Sequence, residues 1–189
     1  LPVSMAHPAT DRSQFLGALN QHLDKVAYGQ KELKEKIIQI VAQLISNPEA
    51  KGKAILIAGP PGTGKTTLVR EGISKGLGYY FGEIPLAGLD DSSVLKGHGY
   101  TYEGSKHGEM LRIQLAGGCE NVVYFMDEVD KLGRGHHGDA LEKNLIQIID
   151  TTQNDAFKDN YVPELPINLS RCIFIFTAND TSVINPTLL

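Results

Sequence analysis

The sequence has few cysteines, little net charge and no long hydrophobic run, and each of these absences excludes a class of protein. The two cysteines, Cys119 and Cys172, lie far apart and in no metal-ligand spacing, so we expect neither a disulfide scaffold nor a cysteine-based zinc site. The 18 basic and 22 acidic side chains leave a net charge of −4 (18 − 22). The cysteine usage therefore makes a reducing compartment the default expectation. Because the chain is mildly acidic, binding nucleic acid is not expected to be its main role.

Hydrophobic runs in the sequence are short. The longest, such as Val122 to Met126 and Cys172 to Phe176, hold about five residues, whereas a membrane-spanning helix needs roughly 20. No charged segment precedes an apolar stretch at the beginning, so neither a membrane partner nor a signal peptide is expected. Hydrophobic residues still make up 41% of the 189, enough for the core of one domain, and a first residue other than Met suggests a fragment.

Strand and helix patterns alternate along most of the chain. An amphipathic helix that begins near Asp11 and a longer one over Lys31 to Ser46 come first. Strands are then predicted over 54–58, 80–86, 122–126 and 171–177, and helices over 65–76, 109–116 and 140–149. Near-continuous apolar strands separated by helices are typical of a parallel sheet covered on both faces, and such sheets bind ligands beyond the carboxyl ends of their strands.

The segment Gly59 to Thr66 reads GPPGTGKT and matches the phosphate-binding pattern G-x-x-x-x-G-K-[ST] between a predicted strand and a predicted helix. Its glycines let the backbone bend so that several N–H groups point at one anion, and the following helix adds its positive end. Lys65 supplies a positive charge to the β- and γ-phosphates, and Thr66 offers a hydroxyl to Mg²⁺. The expected nucleotide contacts are Gly59, Pro60, Pro61, Gly62, Thr63, Gly64, Lys65, Thr66 and Thr67.

Two carboxylates follow the predicted strand in VVYFMDE, over Val122 to Glu128. Asp127 can hold Mg²⁺ directly or through water, and Glu128 can polarise the water that attacks the γ-phosphate. Two solvated carboxylates at a strand end are the alternative. The presence of a phosphate loop earlier in the chain favours the catalytic interpretation.

A second polar group ends the strand predicted over 171–177, where Thr177 and Ala178 lead to Asn179. An amide at that place could orient the attacking water. From the spacing alone, a turn former or helix cap is an equal alternative for Asn179.

These three motifs, in this order, resemble those of the AAA+ ATPases, and longer segments are similar to the ATPase module of Lon proteases. The similar segments are LAGLDDSSVLKGHGYTY at 86–102, GDALEKNLIQIID at 138–150, QNDAFKDNY at 153–161 and LPINLSRCIFIFTAN at 165–179. The similarity extends from about Tyr28 to Leu189. It implies an α/β phosphate-loop NTPase, a three-layer sandwich with a parallel central sheet. An N-terminal extension would cover 1–25, and an AAA+ large subdomain would cover 26–189 and stop before its last strand.

The resemblance implies ATP or ADP and Mg²⁺ as cofactors and gives each candidate residue a role. Glu128 becomes the catalytic glutamate and Asn179 the sensor-1 residue, which act with Lys65. Thr66 and Asp127 lie where the family holds the metal ion. The resemblance thus favours the catalytic interpretation of both polar strand ends.

The resemblance also implies contacts away from the phosphates. Tyr28 and Gly29 fall where the family lines its adenine pocket. Tyr102 matches the pore-loop aromatic that contacts an unfolded polypeptide inside a ring-shaped homo-hexamer, and Glu103 stands in place of the usual aliphatic neighbour. Leu132 to Gly138 would form a second pore loop. The implied location is the cytoplasm, or the mitochondrial matrix in a eukaryote.

The favoured function is an ATP-driven motor that unfolds and translocates protein for Lon-like proteolysis. A stand-alone AAA+ ATPase or chaperone and an AAA+ motor acting on DNA are the alternatives. The intact set of Lys65, Asp127, Glu128 and Asn179 disfavours a non-hydrolysing scaffold, and a small-metabolite kinase gives the tyrosine-bearing loop no role. In the family, an arginine finger and a small helical domain would follow Leu189, so we expect these 189 residues alone to be a monomer with weak ATPase activity.

Overall fold

Parallel strands form the main sheet of the structure, a computed structural model that describes residues 12–47, 51, 53–89, 91–99, 101, 104–132 and 136–185. The strands are β1 (Lys53–Ala58), β2 (Phe81–Pro85), β3 (Val123–Asp127), β4 (Phe157–Lys158), β5 (Pro166–Ile167) and β6 (Ile173–Ala178). Four of them pair in the order β1-β6-β3-β2, all parallel, which confirms the predicted sheet. β4 and β5 form a separate antiparallel pair that was not predicted.

Helices connect these strands. Within the described residues they are α1 (Arg12–Val26), α2 (Lys31–Ser46), α3 (Lys65–Leu68), α4 (Lys75–Leu77), α5 (Ser93–Lys96), α6 (Glu109–Gly117) and α7 (His136–Ile149). A π-helical stretch, Val69–Ser74, joins α3 to α4, so one helical segment follows the phosphate loop. Apart from the short α5, each helix was predicted to within a few residues. The cap proposed at Asp11 lies outside the described residues.

The period-two alternation of β3 divides the core between the two faces of the sheet. Val123 and Phe125 belong to the hydrophobic cluster formed with α1, α2 and the helical segment after the phosphate loop. Tyr124 and Met126 point the other way, into the cluster formed with α6 and α7. There the Tyr124 ring stacks on Phe174 with centroids 5.5 Å apart. Helices therefore cover both faces, as the predicted three-layer sandwich requires.

The first two helices pack together on one face of the sheet. Leu19 and Leu23, on the predicted apolar face of α1, are buried. Lys34 of α2 is also buried, and its ammonium donates to Asp24 Oδ1 at 2.8 Å. A buried ammonium requires such a partner, so this ion pair fixes the contact between the two helices. The domain boundary proposed after residue 25 stays a prediction.

Two further features of the structure concern its helices and its two cysteines. None of the helices in the described part of the chain is long and apolar enough to cross a membrane. Cys119 and Cys172 are buried free thiols, as expected. Burial raises the pKa of the Cys172 thiol to about 12, which keeps it protonated in neutral solution.

Candidate functional site

The carboxyl ends of β1, β6 and β3 lie side by side around a cavity of about 360 Å³. β6 lies between the other two strands, so its carboxyl end lies between the phosphate loop and the acidic residues at the end of β3. The cavity is lined by Pro61, Gly62, Thr63, Gly64, Lys65, Thr66, Thr67, Asp127, Glu128 and Asn179. The structure therefore brings together three motifs that are far apart in the sequence.

The phosphate loop, Gly59 to Gly64, connects β1 to α3. Gly59 N donates to Ala178 O at 3.1 Å, which extends the pairing of β1 with β6 into the loop. Gly62 and Gly64 have φ angles of +75° and +76°, a left-handed conformation that glycine adopts readily. A Cβ atom built on either glycine meets nothing within 4 Å. The loop is thus a concave turn at the start of a helical segment, the geometry that binds anions.

Lys65 is the first residue of α3, and its ammonium lies over the phosphate loop. It donates to Gly59 O at 2.6 Å and to Pro60 O at 2.9 Å, and it is 3.4 Å from Asn179 Oδ1. All three acceptors are neutral oxygens. Among the described residues no carboxylate lies within ion-pair distance of Lys65, so its charge is available to an anionic ligand.

The acidic residues at the end of β3, Asp127 and Glu128, are held by β6. Thr177 Oγ1 donates to Asp127 Oδ1 and accepts the backbone N–H of Glu128 at 3.0 Å. Glu128 has a φ of +59°, which is left-handed and costs a residue with a Cβ roughly 1–2 kcal/mol. Residues in such conformations cluster at active sites, where the surrounding structure holds them. Thr177 was noted in the sequence only as part of the strand end, and no pattern indicated this double contact.

Asn179 joins the two halves of the cavity. Its Nδ2 donates to Glu128 Oε1 at 3.5 Å, while its Oδ1 faces the Lys65 ammonium. The next residue, Asp180, caps the short 3₁₀ turn Thr181–Val183 by accepting Ser182 N at 2.9 Å, and the Ser182 hydrogen bonds lower the pKa of Asp180. The sequence left a helix-capping role open for Asn179, and in the structure the residue that caps this turn is its neighbour, Asp180.

The oxygen atoms in the cavity fit a magnesium ion shared with a bound phosphate. Thr66 and Asp127 both line it, one with a hydroxyl and the other with a carboxylate. Mg²⁺ is commonly bound by one or two carboxylates together with phosphate oxygens and water. In the described residues no group of three or more His, Cys, Asp or Glu side chains could hold a metal ion without such a ligand.

Comparison with known families agrees with this geometry. Residues 55–189 match the ATPase family associated with various cellular activities (AAA). The chain belongs to the AAA family. The matched residues include 55–58 of β1 and all of the phosphate loop, β3 and β6, so the AAA domain contains every residue that lines the cavity.

Curated relatives of this AAA domain are Lon proteases. The Lon protease of Nitrosococcus oceani is 40% identical over 167 residues, which is 88% of this chain and 21% of the relative. That of Malacoplasma penetrans is 38% identical over 170 residues, 90% of this chain and 21% of the relative. A mitochondrial Lon protease homolog of Oryza sativa subsp. indica is 39% identical over 169 residues, 89% of this chain and 17% of the relative. The chain thus spans about a fifth of the length of these relatives.

The loop between α1 and α2 reaches the phosphate loop of the AAA domain through a residue that the sequence did not indicate. Tyr28 is fully exposed and Gly29 has a φ of +72°, and neither lines the cavity. Gln30, also left-handed with a φ of +50°, donates its side-chain amide to Thr63 O. No motif marks Gln30, because its contact depends on how the helices pack. The adenine-pocket assignment of Tyr28 and Gly29 stays a prediction.

The predicted pore-loop residues of the AAA domain, Tyr102 and Glu103, lie outside the described residues. The same holds for 133–135 in the predicted second pore loop. The pore-loop assignments stay predictions.

Proposed function

We propose that this AAA domain binds ATP with Mg²⁺ and hydrolyses it to unfold and translocate a polypeptide, as part of a Lon-like ATP-dependent protease. One observation carries the proposal: Lys65, Asp127, Glu128 and Asn179 converge on a single cavity at the carboxyl ends of three strands. A cation, two carboxylates and an amide are the groups that phosphoryl transfer to water requires.

Binding rests on the phosphate loop and Lys65. The backbone beside Gly62 and Gly64 borders open space, since a Cβ atom on either would meet nothing within 4 Å, and N–H groups of such a loop can bind a phosphate there. Lys65 exchanges two carbonyl contacts, to Gly59 and Pro60, for charged phosphate oxygens. A charge-assisted hydrogen bond is about twice as strong as a neutral one, so this exchange favours the nucleotide-bound state.

The metal ion would be held by Thr66 and Asp127, and when bound it neutralises negative charge on the phosphate oxygens. Thr177 positions Asp127 for this by donating to Oδ1, which leaves Oδ2 for the ion or its water. β6 thereby sets the orientation of a carboxylate on β3.

Glu128 acts as the general base in this proposal. Its left-handed backbone and the 3.5 Å contact from Asn179 Nδ2 hold Oε1 in the cavity. A carboxylate there accepts a proton from the attacking water. Because Asn179 also faces Lys65, it can respond to a γ-phosphate and move Glu128 with it.

The work on polypeptide is assigned to the segment that carries Tyr102, in a homo-hexameric ring. The net charge of −4 and the similarity to Lon proteases favour polypeptide over DNA as the substrate. The cytoplasm is the proposed location, or the mitochondrial matrix in a eukaryote, where the name of the Oryza relative places that protein.

Calorimetric titration with ADP and ATP tests the nucleotide site. Lys65→Ala removes the cation of the cavity, and we expect binding to fall by about 100-fold or more, because hydrogen bonds to charged groups contribute about 1.5–3 kcal/mol and the charge itself adds to this. Lys75→Ala is the matched control, since Lys75 lies on the same helical segment and pairs with Glu71 at 2.8 Å away from the cavity. Parent-like affinity in a folded Lys65→Ala variant would refute the proposal.

A further inference from the structure

Two neighbouring residues, Asp159 and Asn160, hold both ends of segment 97–108. At the first end, Asn160 N donates to Lys96 O at 2.7 Å and Asn160 Nδ2 donates to Gly97 O at 3.0 Å. At the second end, Asp159 Oδ2 accepts Gly108 N at 2.8 Å. We call these five residues, Lys96, Gly97, Gly108, Asp159 and Asn160, the neck of the segment.

The two glycines of the neck are in close backbone contact. A Cβ atom on Gly97 would lie 2.7 Å from Gly108 N and 2.8 Å from Asp159 Oδ1, and one on Gly108 would lie 2.2 Å from Leu95 O. Just beyond the neck, His98 N donates to Lys106 O at 3.1 Å. The two ends of the segment are therefore packed closely together, and neither glycine has room for a side chain.

The carboxylate of Asp159 is wholly buried and is held by backbone N–H groups. Besides Gly108 N, it accepts Tyr161 N at 2.9 Å on Oδ1. Among the described residues no basic side chain pairs with it. Gly108 is the N-cap residue of α6, so Asp159, from another part of the chain, places its carboxylate at the N-terminal end of this helix. A negative charge at that end of a helix is favourable. The charge-assisted hydrogen bonds also fix the orientation of the Asp159 carboxylate in the neck.

The neck is connected to both neighbouring functional segments. Lys96 Nζ donates to Gln147 Oε1 at 2.6 Å, which joins the neck to α7, the helix whose first turn includes the last three residues of the predicted second pore loop. Asp159 and Asn160 follow β4 directly, and the β4–β5 segment continues into β6, which ends at Ala178, the residue before Asn179. A displacement at the nucleotide cavity can thus reach segment 97–108 through one continuous stretch of chain.

We propose that Asp159 and Asn160 are positioning residues that hold segment 97–108 in the orientation in which it contacts a polypeptide. The inference rests on the proposed function, because the polypeptide is the substrate assigned there. Buried charge, four hydrogen bonds and two glycines without room for a side chain make the neck rigid. A rigid neck transmits movement that a flexible one would absorb.

The test uses the full-length protein and compares Asp159→Asn with Asp155→Asn. The first change keeps the shape of the side chain but turns an N–H donor toward a backbone N–H and removes the charge. The second makes the same chemical change at an exposed carboxylate of the same region, whose contact is Lys51 at 3.6 Å. Carboxymethylated α-lactalbumin, which stays unfolded, serves as the polypeptide. We measure ATP hydrolysis with and without it.

We expect Asp159→Asn to raise the polypeptide concentration needed for half-maximal stimulation about tenfold, the effect of losing one charge-assisted hydrogen bond, with unstimulated hydrolysis within about twofold of the parent. Hydrogen exchange should show the Gly108 amide opening faster in this variant and unchanged in Asp155→Asn. Should Asp159→Asn fail to fold, Asn160→Asp removes the Nδ2 donor to Gly97 and keeps the backbone contact to Lys96.

Each outcome decides one hypothesis. Faster Gly108 exchange with parent-like stimulation would overturn the positioning role. Unchanged Gly108 exchange would show that Asp159 does not hold Gly108 in the neck. Equal loss of stimulated and unstimulated hydrolysis would also overturn the positioning role, since that pattern indicates general damage to the protein. A parent protein that does not hydrolyse ATP at all would instead refute the proposed function, and the exchange measurement would still decide the joint.

Discussion

Two glycine pairs in this domain, Gly62 with Gly64 and Gly97 with Gly108, have opposite surroundings in the structure. In the phosphate loop, Gly62 and Gly64 are both left-handed, and a Cβ on either would meet nothing within 4 Å. In the neck, Gly97 also has a positive φ, +77°, but a Cβ there would meet backbone at 2.7 Å, and one on Gly108 at 2.2 Å. One pair leaves a space open and the other closes a joint.

The charged residue beside each pair differs in the same way. Lys65 lies over the open pair with neutral oxygens as its neighbours, so its charge is available to a ligand. Asp159 lies inside the closed pair with backbone N–H groups on both of its oxygens, so its charge is already used. Open glycines beside an uncompensated charge indicate a binding site, and crowded glycines beside a compensated charge indicate a structural joint.

The largest expected effect is on ATP hydrolysis, and it should leave both glycine pairs unchanged. Glu128→Gln keeps the shape of the side chain and removes the charge that accepts a proton. In the full-length protein, ATP hydrolysis should fall about 10²–10⁴-fold while ATP affinity stays within about threefold. Steady-state ATPase assays and calorimetry measure the two quantities. Hydrolysis at the parent rate would mean that another group is the base, and faster Gly108 exchange would mean that the two regions are not separate.

The open pair could be predicted from the sequence and the closed pair could not. The phosphate loop is a local pattern, and the apolar runs that became β1, β3 and β6 identify buried strands without knowledge of their neighbours. Three-dimensional proximity of the three strand ends followed from the rule that parallel strands present their carboxyl ends at one edge. The strand order, with β6 beside β1, needed the structure.

The missed features all depend on contacts between distant residues. Asp159 meets Gly108 across 51 positions, Thr177 meets Asp127 across 50, and Gln30 meets Thr63 across 33. β4 and β5 have two residues each, too few to show an alternating pattern. Polar side chains with such partners have no periodicity, so composition and spacing carry no signal for them.

The second effect tests the comparison directly by adding one methyl group to each pair. Gly108→Ala forces a Cβ against Leu95 O and should destabilise the fold by about 1–3 kcal/mol, with nucleotide affinity retained. Gly62→Ala has open space but keeps a left-handed backbone, which costs roughly 1–2 kcal/mol, and the loss should appear mainly as weaker ADP binding. Urea unfolding and calorimetry on both variants measure this. The reverse pattern would contradict our distinction between open and closed glycines.

The third effect concerns the segment that the neck closes. If Tyr102 contacts the polypeptide, Tyr102→Ala in the full-length protein should slow degradation of a folded test substrate about tenfold, which is roughly 1.4 kcal/mol. Nucleotide affinity and Gly108 exchange should be unchanged, because neither the cavity nor the neck is altered. Tyr161→Ala is the control for the loss of a tyrosine side chain, at a residue that is 37% exposed. A loss of ATP binding in Tyr102→Ala would assign a packing role to this residue.

The smallest effect concerns Gln30, which attaches the α1–α2 loop to the open pair. Its amide donates to Thr63 O, so removing it should loosen the phosphate loop and weaken ADP binding about two- to tenfold, the contribution of one hydrogen bond. Two variants separate this contact from backbone strain, because Gln30 is left-handed. Gln30→Ala loses the contact and keeps the strain, whereas Gln30→Gly loses the contact and relieves it.

Both Gln30 variants should therefore bind ADP more weakly by the same factor, while Gln30→Gly is the more stable of the two by about 1 kcal/mol in urea unfolding. Gln39→Ala, on the exposed side of α2, controls for the loss of a glutamine side chain. If only Gln30→Ala weakened binding, strain in the α1–α2 loop and not the amide would determine the phosphate loop. If neither variant did, the open glycine pair would hold its shape without help from the helices, since the β1–β6 pairing and the start of α3 fix both of its ends.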